Sequence, residues 1–439
     1  MANVLLTTRC NLHCPYCFAQ EKLSEGQKLS MSIGDVEKVM DFLVRSNHPL
    51  FRVMGGEPTL HPEFPRILEL ALRKGMRVDV LSNATWPASY NELFRRTSPR
   101  RVVFLLNIDL PQRYAPNIWQ RIEQNLAAIS DRGSITLSFN IFEKQPRYEY
   151  IFELTRKYGI DKIRMSFSLP VVGADNACLK LEDYKEMAPF VVEFARRAEQ
   201  EGVQVRMDNA IPLCMFTNEQ AGELLLKGVI ELERNMRCSP VIDIGPDLRV
   251  WCCFCLSKMW NRHLDEFENL DQIRAYFQNA MSLYQDRLYP LQACNDCRYR
   301  DQWRCQGGCL THTVMKYGEL VPQIQPAQQP TDDGWKEGAV LSLSPDVFVR
   351  RFDMPEVTFA LTNRVTGMEL EVDGSFAPLV GSIDGHHSPG EIVDRYLGAS
   401  SPPAQNSLQA MTQAALRRGA NELLHNMLAQ ELIVERHPE

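Results

Sequence analysis

The chain reads as an α/β protein in three parts: a partial (β/α)6 TIM barrel, a small cysteine-rich domain held by metal, and a winged-helix-like α+β domain. Three observations predict this. Short apolar runs alternate with amphipathic stretches from residue 3 to about 168. The 13 cysteines are clustered, three near the N-terminus and most of the others between Cys238 and Cys309. A stretch rich in proline and glutamine, Val321 to Gly338, reads as a linker ahead of a last compact segment.

In the first part the candidate strands are Val4–Thr7, Phe51–Met54, Val78–Leu81, Val102–Leu106, Ile135–Phe139 and Ile163–Phe167. Between them Val36, Val39, Met40 and Leu43 share one helix face, and Ile118, Ile122, Leu126 and Ile129 repeat the pattern. Strand–helix alternation predicts a parallel sheet covered by helices. Six units rather than eight predict a partial barrel, whose chemistry collects at the C-terminal strand ends. Cys10 to Cys17, Gly55-Gly56-Glu57, Ser82-Asn83 and Asn107 fall there.

Residues 181–201 read as a helix, followed by a possible strand, Val203–Met207. The expected domains are 1–205 for the barrel, 206–320 for the cysteine-rich part, 321–340 for the linker and 341–439 for the last part. In that last part Val347–Arg351, Val357–Leu361 and Met368–Val372 read as strands, and Ser375–Ile383, Pro389–Tyr396 and Leu408–Leu432 as helices. Ser388 with Glu391 three residues on forms a capping box.

Apolar content of 44% and charged content of 23% are ordinary for a globular protein. No window approaches the ~18 apolar residues of a membrane span, and Met1-Ala2-Asn3 runs into the first strand without a signal pattern, so the expected location is cytoplasmic, with no membrane partner. A net charge of −7 offers no footprint for nucleic acid. In a reducing compartment, clustered cysteines point to metal rather than disulfides.

The central motif is Cys10-x3-Cys14-x2-Cys17. Three thiolates in one short loop can hold three irons of a [4Fe–4S] cluster, leaving the fourth iron open. Spacing alone also admits zinc with His13 as fourth ligand, or three buried thiols. The triad with Tyr16 before its last cysteine, followed by Gly55-Gly56-Glu57-Pro58 at the end of the second strand, resembles the radical S-adenosylmethionine (SAM) enzymes. The resemblance implies that Cys10, Cys14 and Cys17 bind the cluster and that Gly55, Gly56 and Glu57 receive the methionine amino group. It places Tyr16 near the adenine, and Ser82, Asn107 with Asp109, and Asn140 at ribose or carboxylate contacts. The implied chemistry is reductive cleavage of SAM to a 5′-deoxyadenosyl radical that abstracts hydrogen from a C–H bond, with an electron donor such as flavodoxin or ferredoxin.

Cys294-x2-Cys297-x7-Cys305-x3-Cys309, with Gln306-Gly307-Gly308 before the last cysteine, resembles the SPASM extension of that family, which carries auxiliary [4Fe–4S] clusters. The chain departs from the family pattern at three points. The gap between Cys297 and Cys305 is longer, Leu248 stands in place of a glycine, and no cysteine follows Cys309. Arg249-Val250-Trp251-Cys252-Cys253 resembles the family's strand ending in a ligand. Strand alternation turns Cys253 and Cys255 to one side, so Cys253 is preferred, with Cys255 in reserve. By carry-over one cluster takes Cys238, Cys253 and Cys309, with Cys214 as fourth. The other takes Cys294, Cys297 and Cys305, its fourth ligand not a cysteine. One auxiliary cluster or a zinc knuckle remains open; two clusters are favoured. Cys178 fits no pattern and reads as a buried apolar residue.

Leu343-Ser344-Pro345-Asp346-Val347, Leu370-Glu371-Val372-Asp373-Gly374, Ser382-Ile383-Asp384-Gly385 and Pro389-Gly390-Glu391-Ile392-Val393 resemble a PqqD-like domain, which grips the leader of a ribosomal precursor peptide as an added strand. A DNA-binding winged helix is disfavoured, because residues 341–439 hold 7 Arg and no Lys against 13 acidic residues. The resemblance thus implies a peptide maturase that installs an oxidative crosslink (C–C, C–O or C–S). Peptide epimerisation, sulfatase-type maturation of a folded protein, and a non-enzymatic iron–sulfur scaffold are the lesser readings. No residue is nominated as catalytic base.

Overall fold

The computed structural model describes residues 2–19, 29–236, 238, 241–286, 288–301, 305–318, 340–343, 347–352, 358–363, 369–400, 407–429 and 432–436. The expected linker, 321–338, lies outside them. The chain divides into two compact units, Met1–Leu320 and Val321–Glu439.

The first unit alternates β1 (Ala2–Leu5), α1 (Ile33–Arg45), β2 (Leu50–Met54), α2 (Phe64–Arg73), β3 (Arg77–Ser82), α3 (Tyr90–Arg96), β4 (Val102–Asn107), α4 (Pro116–Ile129), β5 (Ile135–Ile141), α5 (Glu149–Tyr158), β6 (Lys162–Phe167), α6 (Tyr184–Gln200) and β7 (Gln204–Met207). Local chemistry sets these elements. Ser32 caps α1 by accepting from the Asp35 amide at 3.1 Å, and the predicted face Val36, Val39, Met40 and Leu43 is buried. On β4, Val102, Phe104 and Leu106 are buried while Val103, Leu105 and Asn107 stay partly exposed. Phe104 packs edge-on to Phe94 of α3 at 4.9 Å, so the buried set faces the helices and Asn107 lies on the other face.

All six expected strands form, but the parallel run is longer than six. After α7 (Asn218–Leu226) and α8 (Leu232–Asn235) come β8 (Ile242–Ile244), β9 (Arg249–Cys252) and β10 (Arg262–His263). The sheet order is β10-β9-β8-β1-β2-β3-β4-β5-β6-β7. Pairing is parallel from β8 through β1 to β7, and antiparallel from β8 to β9 and β9 to β10. The cysteine-rich segment therefore extends the barrel sheet beside β1, and β7 spans the boundary expected at 205. A three-residue strand carrying a buried Asp243 has no apolar period to read. Asp243 is held by Asn3 of β1, whose Nδ2 donates to Oδ1 at 2.7 Å. The unit closes with α9 (Leu270–Asp286), α10 (Arg298–Asp301) and α11 (Leu310–Tyr317).

The second unit holds β11 (Val340–Leu343), β12 (Val347–Phe352), β13 (Thr358–Asn363), β14 (Glu369–Asp373), α12 (Ala377–Gly381), α13 (Pro389–Ser400), α14 (Ser407–Ala429) and β15 (Ile433–Arg436). Strands β12, β13 and β14 form an antiparallel sheet in that order, leaving β12 and β14 as its edges. The Ser388–Glu391 capping box forms, the Ser388 amide donating to Glu391 at 2.8 Å and the Glu391 amide to the Ser388 hydroxyl at 3.3 Å. The antiparallel pair β11–β15 was not legible in sequence. Leu341, Leu361, Val372, Ile392, Tyr396 and Leu424 are among its buried core.

Candidate functional site

Cys10, Cys14 and Cys17 lie in the loop that leaves β1 at its C-terminal end. The segment after β2 is the wall of that loop. The Gly56 amide donates to Thr7 O at 2.9 Å, and the Glu57 amide donates to Arg9 O at 2.7 Å. A Cβ on Gly55 would stand 2.6 Å from Thr7 O, and one on Gly56 2.3 Å from Arg9 O and 2.8 Å from Cys10 Cβ. Both glycines are required by this backbone approach.

Glu57 is 0% exposed. Its Oε1 accepts from Ser82 Oγ at 2.8 Å, Thr59 Oγ1 at 2.6 Å and the Thr59 amide at 3.2 Å, and its Oε2 accepts from the Asn83 amide at 2.8 Å. Burial raises its pKa, while the bonds from Asn83, Thr59 and Ser82 pull it back down. The carboxylate thus joins the ends of β2 and β3 beneath the cysteine loop, and Ser82 is engaged with it. A second clasp adjoins it. Asn11, inside the loop, donates from Nδ2 to Thr85 Oγ1 at 2.9 Å and accepts from Asn83 Nδ2 at 3.1 Å.

The three thiols are close enough to act on one another. Cys14 is pushed up to about 12 by burial, then by Cys17, Cys10 and Asp109. Crowded sulfurs of this kind call for a cation to form thiolates. Tyr16 packs tilted against Phe142 with ring centroids 4.9 Å apart, and Arg113 covers the same Phe142 ring at 4.7 Å. Asp109 is buried, accepts from the Leu110 amide at 2.7 Å, and gives its own amide to the Tyr114 hydroxyl at 2.7 Å. Burial raises its pKa against the opposing Leu110 and Arg113 bonds. Asn107 ends β4 opposite Ser138 of β5, and Asn140 on β5 accepts from Ser166 Oγ at 2.9 Å. Asn11, Thr85, Phe142 and Tyr114 were not singled out in sequence, because nothing in their local pattern marks them.

The downstream cysteines act on one another in two neighbourhoods. Cys309 and burial, then Cys253, raise the Cys238 thiol, and Cys255 and burial, then Cys309, raise the Cys253 thiol, so these four sulfurs lie close enough to act on one another. Cys214 feels Cys305, Cys294 and Cys297. Backbone packing holds it there. A Cβ on Gly308 would lie 3.3 Å from Pro212 N, and Tyr299 OH donates to Asn218 Oδ1 at 3.3 Å. The segment carrying Cys214 is thereby pinned on both sides to the Cys294–Cys309 block.

In the structure the cysteines that act on Cys214 are Cys305, Cys294 and Cys297, not the set that sequence expected for it, and the cysteine beside Cys253 is Cys255. The strand-alternation reason for choosing Cys253 does not hold, since β9 ends at Cys252. Cys253 has φ +59°, a one-turn 3-10 helix Phe254–Leu256 follows, and this geometry puts Cys253 beside Cys255. Cys252 is buried on its own strand.

Among the described residues, no three His, Cys, Asp or Glu side chains converge on the position of one metal ion. All-thiolate sets of three and four are the donor chemistry of iron–sulfur clusters, and the residues present fit such groups. The triad loop also touches the first set. Phe18, next to Cys17, packs on Phe254, between Cys253 and Cys255, with centroids 5.0 Å apart.

With this geometry in hand, residues 4–142 match the radical SAM superfamily. The chain is 35% identical over 80 residues to the Fe-coproporphyrin III synthase of Methanosarcina barkeri, covering 18% of this chain and 20% of that protein. It is 25% identical over 148 residues to the antilisterial bacteriocin subtilosin biosynthesis protein AlbA of Bacillus subtilis, covering 32% of each. These matches span a third or less of the relatives' own lengths. In fold, it is similar to Streptococcus suis SuiB bound to the precursor peptide SuiA, with a TM-score of 0.54 at 14% identity over 72% of this chain and 73% of that one. Among the described residues no helix is long and apolar enough to cross a membrane.

Proposed function

We propose that the chain is a radical SAM maturase that installs an oxidative crosslink on a ribosomally made precursor peptide. The observation that carries the reading is the pairing of the glycine-buttressed Cys10–Cys14–Cys17 loop with two further groups of mutually close cysteines. The match to a bacteriocin biosynthesis protein and the fold likeness to a protein crystallised with its precursor peptide support the substrate class.

Cys10, Cys14 and Cys17 would hold the cluster that binds SAM, and Cys238, Cys253, Cys255, Cys309 and Cys214, Cys294, Cys297, Cys305 two auxiliary clusters. Bound together, the first cluster and SAM supply a 5′-deoxyadenosyl radical. The chain's own part is positional. Gly55 and Gly56 let the second strand's end lie against the cysteine loop, and Glu57, Ser82 and Asn83 hold it there. Tyr16, Asn107 and Asn140, on or beside the same strand ends, are the candidate SAM contacts. Clusters held by these two cysteine sets would supply an acceptor for the electron that a crosslink releases, which suits a net oxidation. In the second unit, the β12 and β14 edges offer strand addition to a leader, the role expected of a PqqD-like domain. The expected donor of reducing electrons is a flavodoxin or ferredoxin.

Co-expression with a candidate precursor peptide, followed by mass spectrometry, tests this. Loss of two hydrogens supports the crosslink. No mass change with altered stereochemistry identifies an epimerase instead, and an untouched peptide contradicts the peptide reading.

A further inference from the structure

We propose that the Tyr184 hydroxyl donates a hydrogen bond to the cluster of the Cys238, Cys253, Cys255 and Cys309 quartet and raises the potential at which that cluster is reduced. The inference rests on the reading that this quartet holds a cluster.

Tyr184 opens α6 and is 1% exposed. Its ring is clamped, stacked on Phe167 at 4.3 Å and set edge-on to His312 at 5.8 Å. Among the described residues its hydroxyl has no hydrogen-bond partner. Buried hydroxyls are nearly always partnered, so an orphan marks an acceptor still to be supplied. Among the described residues His312 Nε2 is also buried and without a partner, so it does not take the Tyr184 proton.

The sulfurs near enough to act on the phenol are Cys309, Cys178 and Cys255, in that order of influence. Two of the three belong to the quartet. Burial first, and then these sulfurs, hold the phenol in its protonated form, so toward anionic sulfur it acts as a donor. The chain path places it there by construction. In the loop before α6, the Val172 amide donates to Cys255 O at 2.9 Å and the Ala177 amide to Pro15 O at 2.9 Å. This loop is laid between the triad and the quartet, and Tyr184 follows it. Hydrogen bonds to cluster sulfur are among the levers on reduction potential, and a donor favours the more negative, reduced state.

The test uses the full chain with Cys10, Cys14 and Cys17 replaced by Ala, so that only the auxiliary clusters report. They are reconstituted anaerobically and titrated by electron paramagnetic resonance. Tyr184→Phe removes the hydroxyl and keeps the ring. It is expected to lower the midpoint of one cluster by about 59 mV, a tenfold fall in the reduced-to-oxidised ratio at fixed poise, with iron unchanged and the other cluster unmoved. Placing 3,5-difluorotyrosine at 184, a stronger donor of nearly the same shape, is expected to raise that midpoint. It decides the matter if Tyr184→Phe loads less iron. Cys178→Ala is expected to leave both midpoints in place. Unmoved midpoints in the Tyr184 variants, or a shift reproduced by Cys178→Ala, overturn the proposal. Absence of auxiliary iron in the parent overturns the cluster reading itself.

Discussion

Ser82 gives its hydroxyl to Glu57 across 2.8 Å, and both side chains are buried. That bond fastens the end of β3 to the segment whose amides hold Thr7 and Arg9, and so to the cysteine loop. The acidic residue of the Gly-Gly-Glu-Pro motif is a structural tie in this chain. Glu57→Ala leaves the donors of Thr59, Ser82 and Asn83 buried without an acceptor, at about 1–3 kcal/mol each. A fall of several degrees in melting temperature is expected by calorimetry. Glu57→Gln keeps one oxygen but turns an NH2 toward the Asn83 amide, and is expected to fall between the two.

Gly56→Ala acts on the loop more locally. Its methyl would meet Arg9 O at 2.3 Å and must push the loop that carries Cys10. Overpacking of this kind costs about 1–3 kcal/mol. The chain is expected to stay folded by circular dichroism while losing about four irons, those of the triad, and with them SAM cleavage.

The two quartets predict separable iron losses. A fully loaded chain with three [4Fe–4S] clusters carries about 12 irons. Cys255→Ala and Cys214→Ala are each expected to lower that toward about 8, and the double variant toward about 4. Cys178→Ala, outside both sets, is expected to keep the full complement. Iron and sulfide quantitation after anaerobic reconstitution reads all four.

Asp243 gives the barrel a pH dependence. Burial pushes its carboxyl up to about 7, against the opposing pull of Asn3 and Arg52. In the unfolded chain it titrates near 3.9. A raised folded pKa means the folded state holds the proton more tightly. The stability this confers is full below about pH 4 and is lost as pH rises to about 7. Asp243→Asn is expected to flatten the fall in melting temperature between pH 5 and pH 7. An unchanged slope would contradict the assignment.

Much of the fold was legible because it is periodic. The apolar runs at Phe51–Met54 and Val102–Leu106, and the α1 face from Val36 to Leu43, carry their structure locally. Strand β8 was not, since three residues around a buried aspartate have no period. The triad and its glycines were legible because their spacing is local. The partners of Cys214 were not: they lie some 80 to 90 residues downstream and are brought together by Gly308 packing on Pro212. Cys255 was weighed against Cys253 as if both lay on a strand, when a turn at positive φ brings the two side by side. Asn11, Phe142 and Tyr184 matter through what folds against them, which spacing does not encode.

The central claim is that the Cys10–Cys14–Cys17 loop supports reductive cleavage of SAM. The most direct measurement is 5′-deoxyadenosine formed by the anaerobically reconstituted, dithionite-reduced full chain given SAM, set against a Cys14→Ala control. The account predicts formation that depends on time and enzyme concentration and is absent in the control. No 5′-deoxyadenosine above the control, with iron loaded, would contradict it.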